Sequence, residues 1–187
     1  GCLAGDTAGY PVTISTPGSY RLGGNLTSAD ENTTFIEIST SGVTLDLNGF
    51  GLFGAVACYN TDSDIACTPA GGTGNGVHVT AATVPYSYHN IIIKNGVIQG
   101  MGNNGVDCEN FCRLQDLSVA QSGNNGIDSN RPGLIEGCTV QLSNMDGINV
   151  SGGTIRDSQS LWNGNDGMVT GAGILSGNYV AGNYDDG

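Results

Sequence analysis

The tripeptide Asn/Asp-Gly-apolar recurs through the second half of the chain at a nearly constant interval. It stands at Asn75-Gly76-Val77, Asn104-Gly105-Val106, Asn125-Gly126-Ile127, Asp146-Gly147-Ile148 and Asp166-Gly167-Met168, and a further copy opens at Asp186-Gly187. Gly105 to Gly126 and Gly126 to Gly147 are steps of 21 residues, and the next two steps, to Gly167 and Gly187, are of 20. A fixed period of this length marks a solenoid in which each repeat makes one coil.

Counting from each glycine shows what a coil contains. Val77, Val106, Ile127, Ile148 and Met168 follow the glycines directly, and Val79, Cys108, Ser129, Val150 and Thr170 come two residues later. Asp107, Asp128, Asn149 and Val169 alternate with them, the period of a short strand with one buried face. Ile93, Leu114, Ile135, Ile155 and Leu175 stand twelve residues before the next glycine, and Ile98, Val119, Val140, Ser160 and Val180 stand seven before it. Each coil therefore carries at least two short strands, and like residues stack about 4.8 Å apart along the axis. No single coil buries its own core, so the fold exists only as a stack.

A helical solenoid would need long runs without breakers, whereas Gly or Asn falls every few positions here. The Asn-Gly and Asp-Gly pairs fit tight turns between strands, with glycine supplying the positive φ. Asn163 and Asn183 share the register of Ser122 and Ser143 and are expected to stack as a hydrogen-bonded ladder inside a turn.

The chain holds 32 glycines in 187 residues, well above the usual ~7%. The apolar columns nevertheless argue against disorder. A single domain, 1–187, is expected: a cap or first rung over 1–30, loop insertions at 55–73 and 82–90, and regular coils over 103–187. The cap is needed because an open strand edge pairs promiscuously. No apolar run approaches the roughly 18 residues of a membrane span, and the chain reads as a mature soluble product.

The net charge is −12, with Lys94 the only lysine and Arg21, Arg113, Arg131 and Arg156 the only arginines. Nucleic acid and anionic membranes would be repelled. Anionic polysaccharide would need a bridging cation such as Ca²⁺; neutral glycans and divalent cations fit.

Six cysteines in an acidic, lysine-poor chain point to an oxidising compartment and a secreted, extracellular protein. Cys58 and Cys67 bracket a segment that interrupts the repeat and are expected to staple an exposed loop. Cys108 and Cys112 are expected to pair within one coil. Cys138, in the column of Leu117, Ser158 and Asn178, reads as a buried free thiol, and Cys2 has no evident partner.

The stretch Ile14 to Leu22 containing Pro17-Gly18 and Tyr20, then Gly24-Asn25-Leu26, Phe35-Ile36-Glu37-Ile38 and Gly42-Val43-Thr44-Leu45-Asp46-Leu47-Asn48-Gly49-Phe50, resembles the opening coils of the right-handed parallel β-helix repeat family, the pectin-lyase-like superfamily. Asn90 to Gly100 and the Asn/Asp-Gly coils continue it, so the resemblance covers residues from about 12 to 187. It implies an all-β fold, a right-handed parallel β-helix of 20–21-residue coils with an N-terminal cap. It does not select an activity, because that superfamily contains lyases, hydrolases, epimerases, phage spikes and adhesins.

The superfamily's catalytic constellations are incomplete in this chain. A lyase needs a cationic base facing a cation-neutralised carboxylate, yet Lys94, Arg113, Arg131 and Arg156 do not share one column. Asn60-Thr61-Asp62 and Asp185-Asp186 match fragments of the family's hydrolase motifs, but the Gly-His-Gly and Arg-Ile-Lys partners are missing, as is the epimerase signature. Asp107 and Asp128 occupy equivalent outward positions on neighbouring coils; they read as solvated acids, a Ca²⁺ site or an acid/base pair. Glu136 and Arg156 share a column and are placed for an ion pair. Trp162, alone or with Tyr179 or Tyr184, is a candidate sugar platform. Tyr86 and Tyr88, beside His89 in the second insertion, are candidates for a ligand rim. Asn25, Asn32 and Asn149 open glycosylation sequons.

The functional expectation is a secreted, non-catalytic structural or adhesive β-helix, with no cofactor required. The uncapped register at Asp185-Asp186-Gly187 is expected to mean either that the natural protein continues beyond residue 187 or that the open end docks on another copy, giving head-to-tail self-association into fibres. The alternative is a carbohydrate-active enzyme, a polysaccharide lyase or glycoside hydrolase, or a fragment of one.

Overall fold

A computed structural model describes residues 9–80, 89–131 and 133–185; every regular element among them is a β-strand, and there is no helix. The chain winds as a parallel β-solenoid with turns of about 21 residues, as in the register Asp107↔Asp128. Each full turn supplies three short strands, one to each of three parallel ladders.

The first ladder stacks Val12–Ile14, Ile36–Ile38, Val77–Val79, Val106–Cys108, Ile127–Ser129, Ile148–Val150 and Met168–Thr170. The second begins with Gly18–Arg21 and Val43–Asp46, and the third with Leu26–Thr27 and Gly51–Phe53. Both run on through the long strands Ile91–Gln99 and Cys112–Ala120, which turn a corner and serve the second and third ladders in succession. Gly133–Glu136, Gly153–Arg156 and Gly173–Ser176 complete the second ladder; Thr139–Gln141, Gln159–Leu161 and Tyr179–Ala181 complete the third. Residues 12–27 thus form a first rung.

The apolar columns of the sequence are the core. Ile93, Leu114, Ile135 and Ile155 are buried on successive rungs of the second ladder, and Ile98, Val119 and Val140 on the third. Leu175, next in the first of these columns, is 50% exposed because no described rung follows to cover it. Outside the second ladder, the column Asp46, Lys94, Gln115, Glu136, Arg156 pairs across turns. Arg156 Nη2 meets Glu136 Oε1 at 2.6 Å, and Gln115 donates to the other oxygen at 3.1 Å. These solvent-facing pairs contribute little to stability.

The repeat glycines differ from the sequence reading. None of Gly76, Gly105, Gly126, Gly147 and Gly167 has positive φ. They are glycine because the next strand's column presses on them: a Cβ on Gly126 would collide with Val140 Cγ1 and lie 2.7 Å from Gly147 O, and one on Gly105 would collide with Val119 Cγ1. Left-handed backbone forms two other columns, one between the second and third ladders and one directly after the third ladder, several residues ahead of the repeat glycines. The first is Asn48, Asn95, Asp116, Gly137, Asp157, Gly177; the second is Gly100, Gln121, Leu142, Trp162, Gly182.

The Asn/Asp residues ahead of the glycines satisfy the corner backbone. Asn75 Oδ1 accepts the Asn104 N–H at 3.0 Å, Asn104 that of Asn125 at 3.1 Å, Asn125 that of Asp146 at 3.0 Å, and Asp146 that of Asp166 at 3.2 Å. A parallel stack turning this tightly leaves N–H groups that strand pairing does not reach, and these side chains supply the acceptors. Asn163 and Asn183 form a second such ladder: Asn163 donates its N–H at 3.0 Å and Nδ2 at 2.9 Å to Asn183 Oδ1.

The 55–73 insertion is not a free loop. Its strands Ala57–Asn60 and Ile65–Thr68 form an antiparallel hairpin closed by the Cys58–Cys67 disulfide. Val56, Cys58 and Ile65 are buried against Leu142 and Tyr184. Gln121 Nε2 donates to Cys58 O at 3.1 Å, and the Tyr184 hydroxyl bonds Asn60 Oδ1 and Thr61 O. The hairpin therefore lies along the solenoid and fastens the corners of turns more than sixty residues away. Replacing Cys58 and Cys67 by Ala should cost about 2–3 kcal/mol and speed amide exchange at Gln121 and Leu142 as well as in the hairpin. Faster exchange confined to residues 57–68 would show that the hairpin does not clamp the turns.

Cys108 and Cys112 form the second disulfide, and Cys138 is a free, buried thiol that burial pushes up to about 11. Cys2, Tyr86, Tyr88 and the Asp186-Gly187 pair lie outside the described residues.

Candidate functional site

The outward positions of the first ladder form one polar column. The strand register sets Glu37, His78, Asp107, Asp128 and Asn149 side by side on successive rungs. Their inward neighbours anchor them: Val77 and Val79, Val106 and Cys108, Ile127 and Ser129 all pack inward, so alternation forces the intervening side chain out.

His78 is the centre of this column. Its Nε2 lies 3.7 Å from Asp107 Oδ2 on the next rung and 4.0 Å from Glu109 Oε1. Glu109 follows Val106–Cys108 in the short loop that the Cys108–Cys112 bridge closes, which carries its carboxylate back toward His78. One donor atom from each of His78, Asp107 and Glu109 falls within 4.8 Å of the other two.

Burial pushes the Asp107 carboxyl up to about 6; the nearby acids Asp128 and Glu109 add to this, and His78 opposes it. Asp128 is also raised, first by burial, against a hydrogen bond that Asn125 Nδ2 donates to its Oδ1 at 3.1 Å. The pairing of Asp107 with Asp128 is thus real as a register, but the tighter grouping is Asp107 with His78 and Glu109. In the sequence His78 is not spaced with the cysteines for a metal site and its register with Asp107 goes unread, although it stands two residues after Gly76, as Asp107 does after Gly105. Glu109 carried no signal, since Thr80, Asn130 and Ser151 hold the matching positions in neighbouring turns.

Beside this column, at the corner leading to the second ladder, the exposed Phe111 ring meets His89 with centroids 5.4 Å apart. Trp162 lies at the opposite corner, ahead of the first ladder. It is 47% exposed, has φ 50°, and rests over Gly182, where any Cβ would strike its indole. The Tyr184 hydroxyl is committed to the hairpin. A cavity of about 510 Å³ lined by Val12, Tyr20, Leu22, Leu26, Ile36 and Leu45 opens the apolar core at the N-terminal rung, on the inner side of the ladder that carries Glu37 outward.

No family model, curated protein or solved structure matches the chain.

Proposed function

We propose that this chain is the rod of a secreted structural or adhesive protein, a divergent pectin-lyase-like β-helix that binds neutral or cation-bridged glycan without cleaving it. The observation that carries the reading is the continuous polar column Glu37, His78, Asp107, Asp128, Asn149 on a rigid ladder, flanked by the exposed Phe111–His89 pair. Repeated hydrogen-bonding groups beside an exposed ring suit a sugar chain laid on the surface, the polar groups fixing orientation and the ring supplying apolar contact. Two disulfides agree with an oxidising compartment.

Acid/base cleavage asks for two carboxyl groups whose surroundings drive their protonation apart. Asp107 and Asp128 are instead raised together and for the same main reason, burial. The partly buried position of Asp107 favours the second reading, a carbohydrate-active enzyme: burial pushes its carboxyl up to about 6, toward the protonated form that can donate a proton.

The test is retention on a panel of immobilised polysaccharides, with polygalacturonate run with and without Ca²⁺, while absorbance near 235 nm and reducing ends are followed on the soluble forms. Retention without turnover is expected, weakened by Phe111→Ala. Turnover on any substrate would establish the enzyme reading, and no retention on any member would reject glycan binding.

A further inference from the structure

We propose that His78, Asp107 and Glu109 form a binding site for a first-row transition-metal ion of the Zn²⁺ type. The proposal goes beyond glycan binding and does not depend on it. The three donor atoms already lie 3.7 to 4.8 Å apart. Ligands at about 2.1 Å around a tetrahedral ion are separated by about 3.4 Å, so small side-chain rotations close the set.

The donor chemistry selects the metal. One imidazole nitrogen with two carboxylate oxygens suits Zn²⁺ and its first-row neighbours. Ca²⁺ takes six to eight oxygens, and Mg²⁺ demands near-octahedral oxygen ligation. The set is also held in place before any ion arrives. His78 and Asp107 are adjacent across a parallel register, their strands locked by buried Val77, Val79, Val106 and Cys108. Glu109 is tethered by a disulfide only four residues long in sequence, one end of which, Cys108, is fully buried. Little ordering of the backbone is left for the metal to impose, and the remaining coordination positions face solvent through the partly exposed His78 and Glu109.

This differs from a site built on Asp107 and Asp128. Asp128 is one rung further along, turned toward Asn125, and contributes charge rather than a ligand.

The experiment is calorimetric titration of the chelator-stripped full chain with Zn²⁺ and, separately, Ca²⁺, with Co²⁺ absorption to report nitrogen and oxygen ligation. One Zn²⁺ per chain is expected, with a raised melting temperature by linkage. His78→Ala and Glu109→Gln should each weaken zinc by at least about tenfold, while Asp128→Asn changes it by less than about threefold. Both test side chains are partly exposed, so the variants should fold; matching melting curves without metal establish that. Zinc affinity unchanged in His78→Ala, loss confined to Asp128→Asn, or Ca²⁺ binding as tightly as Zn²⁺ would each overturn the assignment.

Discussion

Ile155→Asp should abolish cooperative folding. Ile155 is buried between Ile135 on one rung and Leu175 on the next. A carboxylate there has no partner in an all-aliphatic column, and the cost of about 4 kcal/mol or more approaches the whole stability of a domain at the lower end of the usual 5–15 kcal/mol. Because the turns stack, damage at one rung also deprives its neighbours of their cover. Ile155→Val, which removes one methyl group and keeps the column apolar, should cost only about 1 kcal/mol and leave a measurable transition. Thermal unfolding followed by circular dichroism distinguishes the cases; a near-wild-type melting temperature for Ile155→Asp would place this residue outside the core.

Gly126→Ala should lower stability by about 3 kcal/mol, toward the upper end for overpacking. Its new methyl group would meet the buried Val140 and the backbone oxygen of Gly147, neither of which can move without disturbing the third or first ladder. Gly24→Ala is the matched control: nothing lies within 4 Å of a Cβ there, and its φ is not positive, so the change should stay within about 0.5 kcal/mol. Chemical denaturation of the two variants measures the difference. Equal, small effects would mean that the repeat glycine answers to turn conformation rather than to packing.

That contrast shows what could be read in the sequence. The solenoid and its columns were legible because a 20–21-residue period brings Ile135 over Leu114 and Ile155 over Ile135 whatever the corners do. The role of the glycine was not, since a residue needed for closeness and one needed for positive φ look the same in a sequence. The true left-handed corners were hidden further, because Gln121, Leu142 and Trp162 occupy a conformation that such side chains rarely take. At the candidate site, Asp107 was legible as an outward acid. His78 was obscured because the step from Gly76 to Gly105 is 29 residues, so the period breaks between the two rungs. Glu109 reaches the site through a loop closed by a disulfide, and the hairpin clamps turns far along the chain; neither leaves a periodic trace.

The stacking register underlies all of these conclusions, and distances along one outward column test it most directly. Arg21, Asp46, Lys94, Gln115, Glu136, Arg156 and Ser176 succeed one another on the outside of the second ladder. With one spin label fixed at position 21 and the second moved to 136, 156 and 176, the backbone separations should be about 19, 24 and 29 Å, one strand spacing of about 4.8 Å per turn. A pulsed dipolar measurement that finds this even progression supports the solenoid and its register; separations that fail to grow from 136 to 176 would contradict both.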